Sequence, residues 1–287
     1  MTHTILRIQG SKRDSTSPNK GAGLIMSATL APPAAAVARA DPADRLGDYL
    51  EAMRYYLLLP NTVIDRILFV DNSHSDLTPM VELVRHLQHD KDVELISFEG
   101  NDHPHQRGKA YGEFKLMDYG LANTTLFGPE DIVWKTTGRL KFLNLIEMTD
   151  CCRKLHFDVL CDLHNVPWVG SGRWRNFHNM DLRVFAFRVR AYDAILRDLW
   201  RTREEGFDAE FMYHRMRQAH QNLSVIPRFP LHKRKTPSGL PFWFATCKRC
   251  IARCVSKNSA VVMAMSELSS VAFDESPRSL MSEWVWH

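Results

Sequence analysis

Short apolar runs and amphipathic segments alternate along the first half of the chain, and this order restricts the folds that it can adopt. Residues 23–30 and 66–70 are apolar runs typical of buried strands, and a helical pattern follows each of them. Residues 93–98 and 131–135 continue the series as a third and a fourth strand. The alternation predicts an α/β fold with a mostly parallel sheet, helices on both faces, and ligands at the carboxyl ends of the strands.

Composition and missing motifs exclude several classes of protein. The chain has 287 residues, a formal net charge of +4 and a sequence pI near 8.7, a mild basicity that suits an anionic ligand and gives no reason to expect nucleic acid as a partner. No run of about 18 apolar residues predicts a membrane-spanning helix. The motifs GxGxxG, GxxxxGK[ST] and GxSxG are absent, which argues against hydride transfer, P-loop chemistry and α/β-hydrolase chemistry.

The sequence pattern divides the chain into three parts. Residues 1–21 are predicted to be a flexible N-terminal tail, residues 22–236 a catalytic domain, and residues 237–287 a C-terminal extension. The extension combines aromatic and basic side chains, which predicts a basic amphipathic helix on an anionic membrane surface; the alternative is a helix packed on the catalytic domain. The six cysteines form no convincing disulfide framework, so we expect reduced thiols in the cytoplasm.

A polar loop with glycines precedes the helical pattern after the third strand. Arg107 and Lys109 are candidates to grip a diphosphate, and Gly108 and Gly112 would let the backbone approach it closely. The start of a helix adds partial positive charge for an anion. The alternative is a solvated loop whose charges only cap the helix.

A second polar cluster follows the fourth strand. Lys135 and Arg139 flank two threonines and a glycine, of which we assign Thr137 and Gly138, together with both cations, to ligand binding. Such a cluster can bind phosphate oxygens or sugar hydroxyls through charge-assisted hydrogen bonds. The alternative is a tight turn with both cations pointing into water.

Five motifs, SATLAP, FVDNSHSDL, RGKAYGE, KTTGR and GFDAE, carry a resemblance that covers roughly residues 23–232. In this order they resemble the GT-A glycosyltransferases, and more narrowly a group of bacterial enzymes that build surface polysaccharides. The resemblance implies a GT-A-like, Rossmann-type sheet. It also implies that Asp71 lies near the base or ribose of a nucleotide, with Asn72 beside it, and that Gly108 and Lys109 open the next helix.

The resemblance leaves the use of a metal open. GT-A enzymes usually carry an Asp-x-Asp metal motif after the fourth strand, where this chain has KTTGR. We therefore expect either no cofactor, with Lys135 and Arg139 neutralising the leaving diphosphate, or Mn²⁺ or Mg²⁺ at Asp162 and His164, whose side chains share one face of a strand. The alternative for the latter pair is ordinary polar residues at a strand end.

The resemblance also suggests the catalytic base and the acceptor site. Glu210 is the first candidate for the base and Asp208 the second, because many inverting GT-A enzymes carry an acidic residue there. Both residues could instead cap a helix. Trp174, Asp181 and Arg183 are candidates to contact the acceptor, although core packing is an alternative for the tryptophan.

These features predict an enzyme, a glycosyltransferase that moves a sugar from a nucleotide-sugar donor to a hydroxyl of a saccharide or lipid-linked acceptor. Inversion is expected if Glu210 is the base. We expect a cytoplasmic protein in peripheral contact with the inner face of the cytoplasmic membrane. Two alternatives stay open: another transferase with an anionic nucleotide donor, and a non-catalytic carbohydrate- or partner-binding protein that kept the layout.

Overall fold

The computed structural model describes residues 3–10, 20–32, 41–102, 107–153, 157–164, 179–202, 223–226, 234–235, 241–242 and 261–265. Its strands are β1 (His3–Ile8), β2 (Ala22–Ala28), β3 (Ile64–Asp71), β4 (Asp92–Phe98), β5 (Ile132–Thr137), β6 (Lys141–Phe142), β7 (Val159–His164), β8 (Asn179–Arg188), β9 (Leu223–Ile226), β10 (Arg234–Lys235), β11 (Pro241–Phe242) and β12 (Val261–Met265). Its main helices are α1 (Pro42–Leu57), α2 (Thr78–His86), α3 (Lys109–Asn123) and α4 (Leu145–Arg153). A short helical segment, Val189–Ala191, continues as a π-helix (Tyr192–Leu196) and a 3₁₀ turn (Leu199–Thr202).

Nine of these strands form one mixed sheet in the order β1-β4-β3-β2-β5-β8-β7-β12-β9. The central run β4-β3-β2-β5 is parallel, as is β7-β12-β9, whereas β1 and β8 are antiparallel to their neighbours. The predicted α/β fold with a mostly parallel, Rossmann-type sheet is confirmed. A small antiparallel sheet, β11-β10-β6, forms beside it.

Helices cover both faces of the central strands, which explains why apolar side chains predominate in those strands. Successive side chains point to opposite faces, so Met26 joins the core cluster that contains α1 and α2, whereas its neighbour Ile25 joins the cluster of α3. A strand buried on both faces carries no alternating polar residues. At the start of α1, Asp41 accepts a hydrogen bond from the backbone N–H of Ala43 at 2.8 Å, and Pro42 occupies the first turn.

Two segments that we predicted to lie outside the catalytic domain contribute strands to this sheet. Residues 3–8, predicted to be part of a flexible tail, form β1, which pairs antiparallel with β4 from His3 opposite Phe98 to Ile8 opposite Val93. This pairing satisfies the backbone groups at the edge of β4, so the tail prediction does not hold for residues 3–8. Strand β12, in the predicted extension, lies between β7 and β9. The predicted amphipathic helix falls largely on residues 243–260, outside the described residues.

The strand order contains a switch point. The chain leaves β2 for β3 and β4 on one side and returns as β5 on the other side of β2. In open α/β sheets, ligands bind outside the carboxyl ends of the strands at such a reversal. Within the described ranges, no helix is long and apolar enough to cross a membrane.

Candidate functional site

We call the region at the carboxyl ends of β2 and β5 and the start of α3 (residues 27–30, 137–139 and 107–113) the switch-point crevice, because the strand order reverses there. Ser27 near the end of β2 pairs in register with Thr137 at the end of β5. The backbone N–H of Gly138 donates to the carbonyl oxygen of Ser27 at 2.8 Å. A Cβ atom at position 138 would also lie 2.8 Å from that oxygen, so only glycine allows this close approach.

Asp71, at the end of β3, organises the loops of the crevice. Its carboxylate is fully buried and accepts hydrogen bonds from the backbone N–H groups of Leu30, Ser73 and Ser75 at 2.8, 3.2 and 3.1 Å. The hydroxyls of Ser73 and Ser97 donate to it at 2.6 and 3.0 Å. Five internal donors occupy the oxygens that we expected to meet a nucleotide, so Asp71 ties the ends of β2, β3 and β4 together.

Asn72 continues this framework. It is buried, and its side-chain oxygen accepts a hydrogen bond from the hydroxyl of Thr29 at 2.7 Å. The backbone N–H of Thr29 donates to the hydroxyl of Tyr49 in α1 at 3.0 Å. The Nε of Arg45, also in α1, donates to the carbonyl oxygen of Thr29 at 2.8 Å. The SATLAP segment is therefore fixed on both sides, and Thr29, which is half-buried, borders the crevice.

Lys135 occupies a different position from the one that we predicted. Strand β5 extends to Thr137, two residues beyond the predicted strand end, so Lys135 lies inside the sheet and has no exposed surface. Its ammonium forms an ion pair with Glu113 of α3 and donates to the carbonyl oxygen of Leu182. Direct contact between Lys135 and a leaving diphosphate does not fit this geometry.

Arg139 is the cation of the KTTGR motif that reaches the surface. Its side chain is 25% exposed, and its Nη1 lies 3.9 Å from Oδ2 of Asp48 in α1. The buried Nε of Arg139 has no hydrogen-bond partner in the part of the chain that the structure describes. Burial lowers the pKa of the neighbouring Arg45, Tyr49 counteracts the shift, and the charge of Arg139 reinforces it. Arg45 and Arg139 are therefore close enough on the α1 side of the crevice to repel each other, and Asp48 compensates part of their charge.

Arg107 supplies a second cation at the start of α3. Its guanidinium lies 4.9 Å from the ring centre of Tyr111, and its Nη1 donates to the hydroxyl of that tyrosine at 3.0 Å. Tyr111 packs edge-on against Trp200, with 5.1 Å between ring centres. Gly108 caps the helix with a φ of 81°, a conformation that favours glycine. Arg107 is thus held beside a helix N-terminus, where anions bind well.

Several predicted site residues cannot be placed by side-chain contacts. Lys109 is the first residue of α3, Asp162 and His164 lie on β7, and Asp181 lies on β8, but the structure does not describe their side chains. Three further predicted residues, Trp174, Asp208 and Glu210, lie outside the described residues altogether. Arg183 is half-buried on β8. Because Thr136 pairs with Val184, the register brings Arg183 beside Thr137 at the crevice.

The described residues offer little for a divalent metal. Among them, no group of three or more His, Cys, Asp and Glu side chains could hold an ion. The segment 135–139, which occupies the place of the usual Asp-x-Asp motif, carries no carboxylate and two cations, and this donor set does not fit Mn²⁺ or Mg²⁺. A site at Asp162 and His164 stays a prediction.

Two residues beside the crevice, Ser27 and Glu113, were not predicted from the sequence. The hydroxyl of Ser27 donates to Oε1 of Glu113 at 2.6 Å, and the same oxygen pairs with Lys135. One sequence signal could have indicated Glu113: it is an acidic residue next to the apolar core positions Ala110, Phe114 and Met117, in a helix that starts at the crevice.

Comparison with known proteins assigns no family. No family model matches the chain, and no curated protein matches it. Among solved structures, it is similar to 4-diphosphocytidyl-2C-methyl-D-erythritol synthase from Anaerococcus prevotii, with a TM-score of 0.40 and 10% identity over 68% of this chain and 82% of that one. A likeness at this level carries no argument about activity.

Proposed function

We propose that this protein is a GT-A-like glycosyltransferase that moves a sugar from a nucleotide-sugar donor to a hydroxyl of a saccharide or lipid-linked acceptor. The observation that supports this most is the switch-point crevice, where Arg107 and Arg139 lie at the carboxyl end of a mostly parallel sheet. A nucleotide sugar carries two negative charges on its diphosphate, and ligands of open α/β sheets bind at this place. The five motifs that resemble GT-A glycosyltransferases are the reason why we propose glycosyl transfer and not some other reaction of a nucleotide-binding protein.

In this proposal, Arg107 and the N-terminus of α3 bind one phosphate and Arg139 binds the other. Guanidinium groups can engage phosphate oxygens with two parallel hydrogen bonds. Both cations are oriented before the ligand arrives, Arg107 by Tyr111 and Arg139 by its place beside Asp48. Positive charge that is already in place stabilises the negative charge that develops on the departing diphosphate.

The reaction exchanges one bond to the anomeric carbon for another. The acceptor oxygen forms a bond to that carbon, the bond to the diphosphate oxygen breaks with its electron pair, and the nucleoside diphosphate leaves. The proton of the acceptor hydroxyl passes to a carboxylate, for which Glu210 is the first candidate and Asp208 the second. These two assignments rest on the GFDAE motif alone.

A thermal-shift screen tests the proposal. We expect at least one uridine, guanosine, cytidine or thymidine diphosphate sugar to raise the melting temperature, with and without manganese, and to be hydrolysed slowly to the nucleoside diphosphate. No stabilisation by any of them would contradict nucleotide binding. Release of the sugar 1-phosphate instead, with the nucleoside monophosphate group passing to the acceptor or to water, would indicate nucleotidyl transfer. Binding without turnover on any acceptor would indicate a non-catalytic protein.

Arg139→Ala tests the diphosphate site. Because a charge-assisted hydrogen bond contributes about 1.5–3 kcal/mol, we expect the affinity for the nucleoside diphosphate found in the screen to fall about ten- to a hundredfold. Calorimetric titration measures the change. Arg85→Ala, which removes an exposed arginine on α2, is the matched control and should bind like the wild type. Equal affinities in the two variants would remove Arg139 from the site.

Glu210→Gln tests the proposed base. The substitution removes the proton acceptor while keeping the size of the side chain, so donor affinity should persist while turnover falls by about two to four orders of magnitude. Steady-state rates on a saccharide acceptor measure the effect. Unchanged turnover would exclude Glu210 as the base and direct the same test to Asp208.

A further inference from the structure

A carboxylate that the proposed mechanism does not use lies at the mouth of the switch-point crevice. Glu113 is in the second turn of α3, beside the end of β2, and its side chain is 20% exposed. Two donors, the hydroxyl of Ser27 and the ammonium of Lys135, converge on one of its oxygens, Oε1. Within the described ranges, the other oxygen, Oε2, has no hydrogen-bond partner.

The surroundings of Glu113 hold it in one orientation. Lys135 has no exposed surface and is itself anchored by the carbonyl oxygen of Leu182, so it cannot swing out to follow a ligand. Ser27 is buried, and its hydroxyl also lies 3.3 Å from the carbonyl oxygen of Thr136. The side chain of Glu113 is therefore positioned before any ligand binds, which reduces the entropy cost of binding.

Charge limits what Oε2 can bind. A carboxylate accepts hydrogen bonds and repels phosphate, so the diphosphate belongs with Arg107 and Arg139. The ammonium of Lys135 compensates the negative charge from within and repels a divalent cation. The partner that remains for Oε2 is a neutral hydrogen-bond donor. Sugar hydroxyls are the most numerous neutral donors of a nucleotide sugar.

We propose that Oε2 of Glu113 accepts a hydrogen bond from a sugar hydroxyl of the ligand and so selects for it. This inference rests on the proposed nucleotide-sugar site. The hydroxyl belongs either to the ribose of the nucleotide or to the transferred sugar, because both lie within a few bonds of the diphosphate. A site that is built to bond a hydroxyl rejects the analogue that lacks it.

The experiment compares ratios of affinity within one protein sample. Calorimetric titration gives the affinities of UDP, 2′-deoxy-UDP and UDP-glucose, and of GDP, 2′-deoxy-GDP and GDP-mannose. In the wild type, we expect at least a tenfold preference either for the ribonucleotide over its deoxy counterpart or for the nucleotide sugar over the nucleotide. Glu113→Gln should reduce that preference to about onefold, because the amide nitrogen turns an acceptor into a donor.

The control is Glu82→Gln on α2, an exposed residue that should leave both ratios unchanged. If Glu113→Gln destabilises the fold, the double variant E113Q/K135M removes both charges, and the ratios do not depend on the fraction of folded protein. Ratios that stay at the wild-type value in both variants while nucleotides still bind would overturn this inference alone. No binding of any nucleotide to the wild type would overturn the proposed function together with it.

Discussion

Two fully buried lysines lie at opposite ends of the sheet, and their positive charges are compensated by different kinds of partner. Lys91, at the amino end of β4, donates to the carbonyl oxygens of Leu59 and Ile64 at 2.7 Å each and to the side-chain oxygen of Asn61 at 2.8 Å. Lys135, near the carboxyl end of β5, instead pairs with the carboxylate of Glu113.

The difference separates a structural cluster from the surface that we propose to bind the ligand. The carbonyl oxygens of Leu59 and Ile64 around Lys91 are buried and held by its ammonium, so this cluster stabilises the fold. At the other end, the partner of Lys135 is the carboxylate of Glu113, whose second oxygen has no hydrogen-bond partner among the residues that the structure describes. We therefore assign the proposed ligand to the end where the ion pair leaves a carboxylate oxygen without a partner among the described residues.

Lys91→Met should have the largest effect on stability. The substitution removes the lysine donor from two buried carbonyl oxygens and from the partly buried side-chain oxygen of Asn61, at about 1–3 kcal/mol for each group. We therefore expect the free energy of unfolding to fall by about 3 kcal/mol or more. Urea denaturation measures the loss. Nucleotide affinity ratios should not change, and a changed ratio would contradict a purely structural role for Lys91.

Gly138→Ala tests the close contact between β2 and β5. The added methyl group would meet the carbonyl oxygen of Ser27 at 2.8 Å and the ring of Tyr49 at 3.0 Å, so we expect a loss of about 1–3 kcal/mol and weaker diphosphate binding. The control is Gly47→Ala in α1, where nothing lies within 4 Å of the new Cβ; it should stabilise the helix by about 0.5–1 kcal/mol. Equal melting temperatures for the two variants would show that the contact is not tight.

Lys135→Met should affect stability less than Lys91→Met but should alter binding. Glu113 keeps the hydrogen bond from Ser27 and its contact with water, so we expect a loss of about 1–2 kcal/mol, mainly from the carbonyl oxygen of Leu182. The preference for hydroxyl-bearing ligands should change, because Glu113 is no longer held in one orientation. If only stability changes, the two lysines are equivalent structural residues.

Asp131, at the amino end of β5, gives the smallest predicted effect, a dependence on pH. Burial alone would raise the pKa of Asp131, but hydrogen bonds from Lys20, Arg66 and the backbone of Gly128 lower it below its usual value. A lowered pKa stabilises the fold above about pH 4, where the unfolded group is ionised, and this stability is lost as pH falls through the folded pKa. Asp131→Asn should flatten the fall in unfolding free energy below about pH 4; an unchanged slope would contradict the pairing.

Local patterns predicted the central elements well. The apolar run predicted at residues 66–70 lies within β3 (Ile64–Asp71), and the run at 93–98 within β4, because buried strands need continuous apolar side chains. Strand β1 was missed, because six residues carry too weak a pattern to be separated from a tail. Its pairing with β4 depends on residues 85 to 95 positions away.

The sequence by itself determined the order of strands and helices and the concentration of polar motifs at strand ends, because these follow from local periodicity. Only the tertiary structure decided which polar groups face a ligand. In the structure, Lys135 lies inside the sheet, the carboxylate of Asp71 accepts hydrogen bonds from five internal donors, and Glu113 lies beside the crevice. The reason is physical: the partner that compensates a buried charge comes from a distant element, and that pairing has no signal in the neighbouring residues.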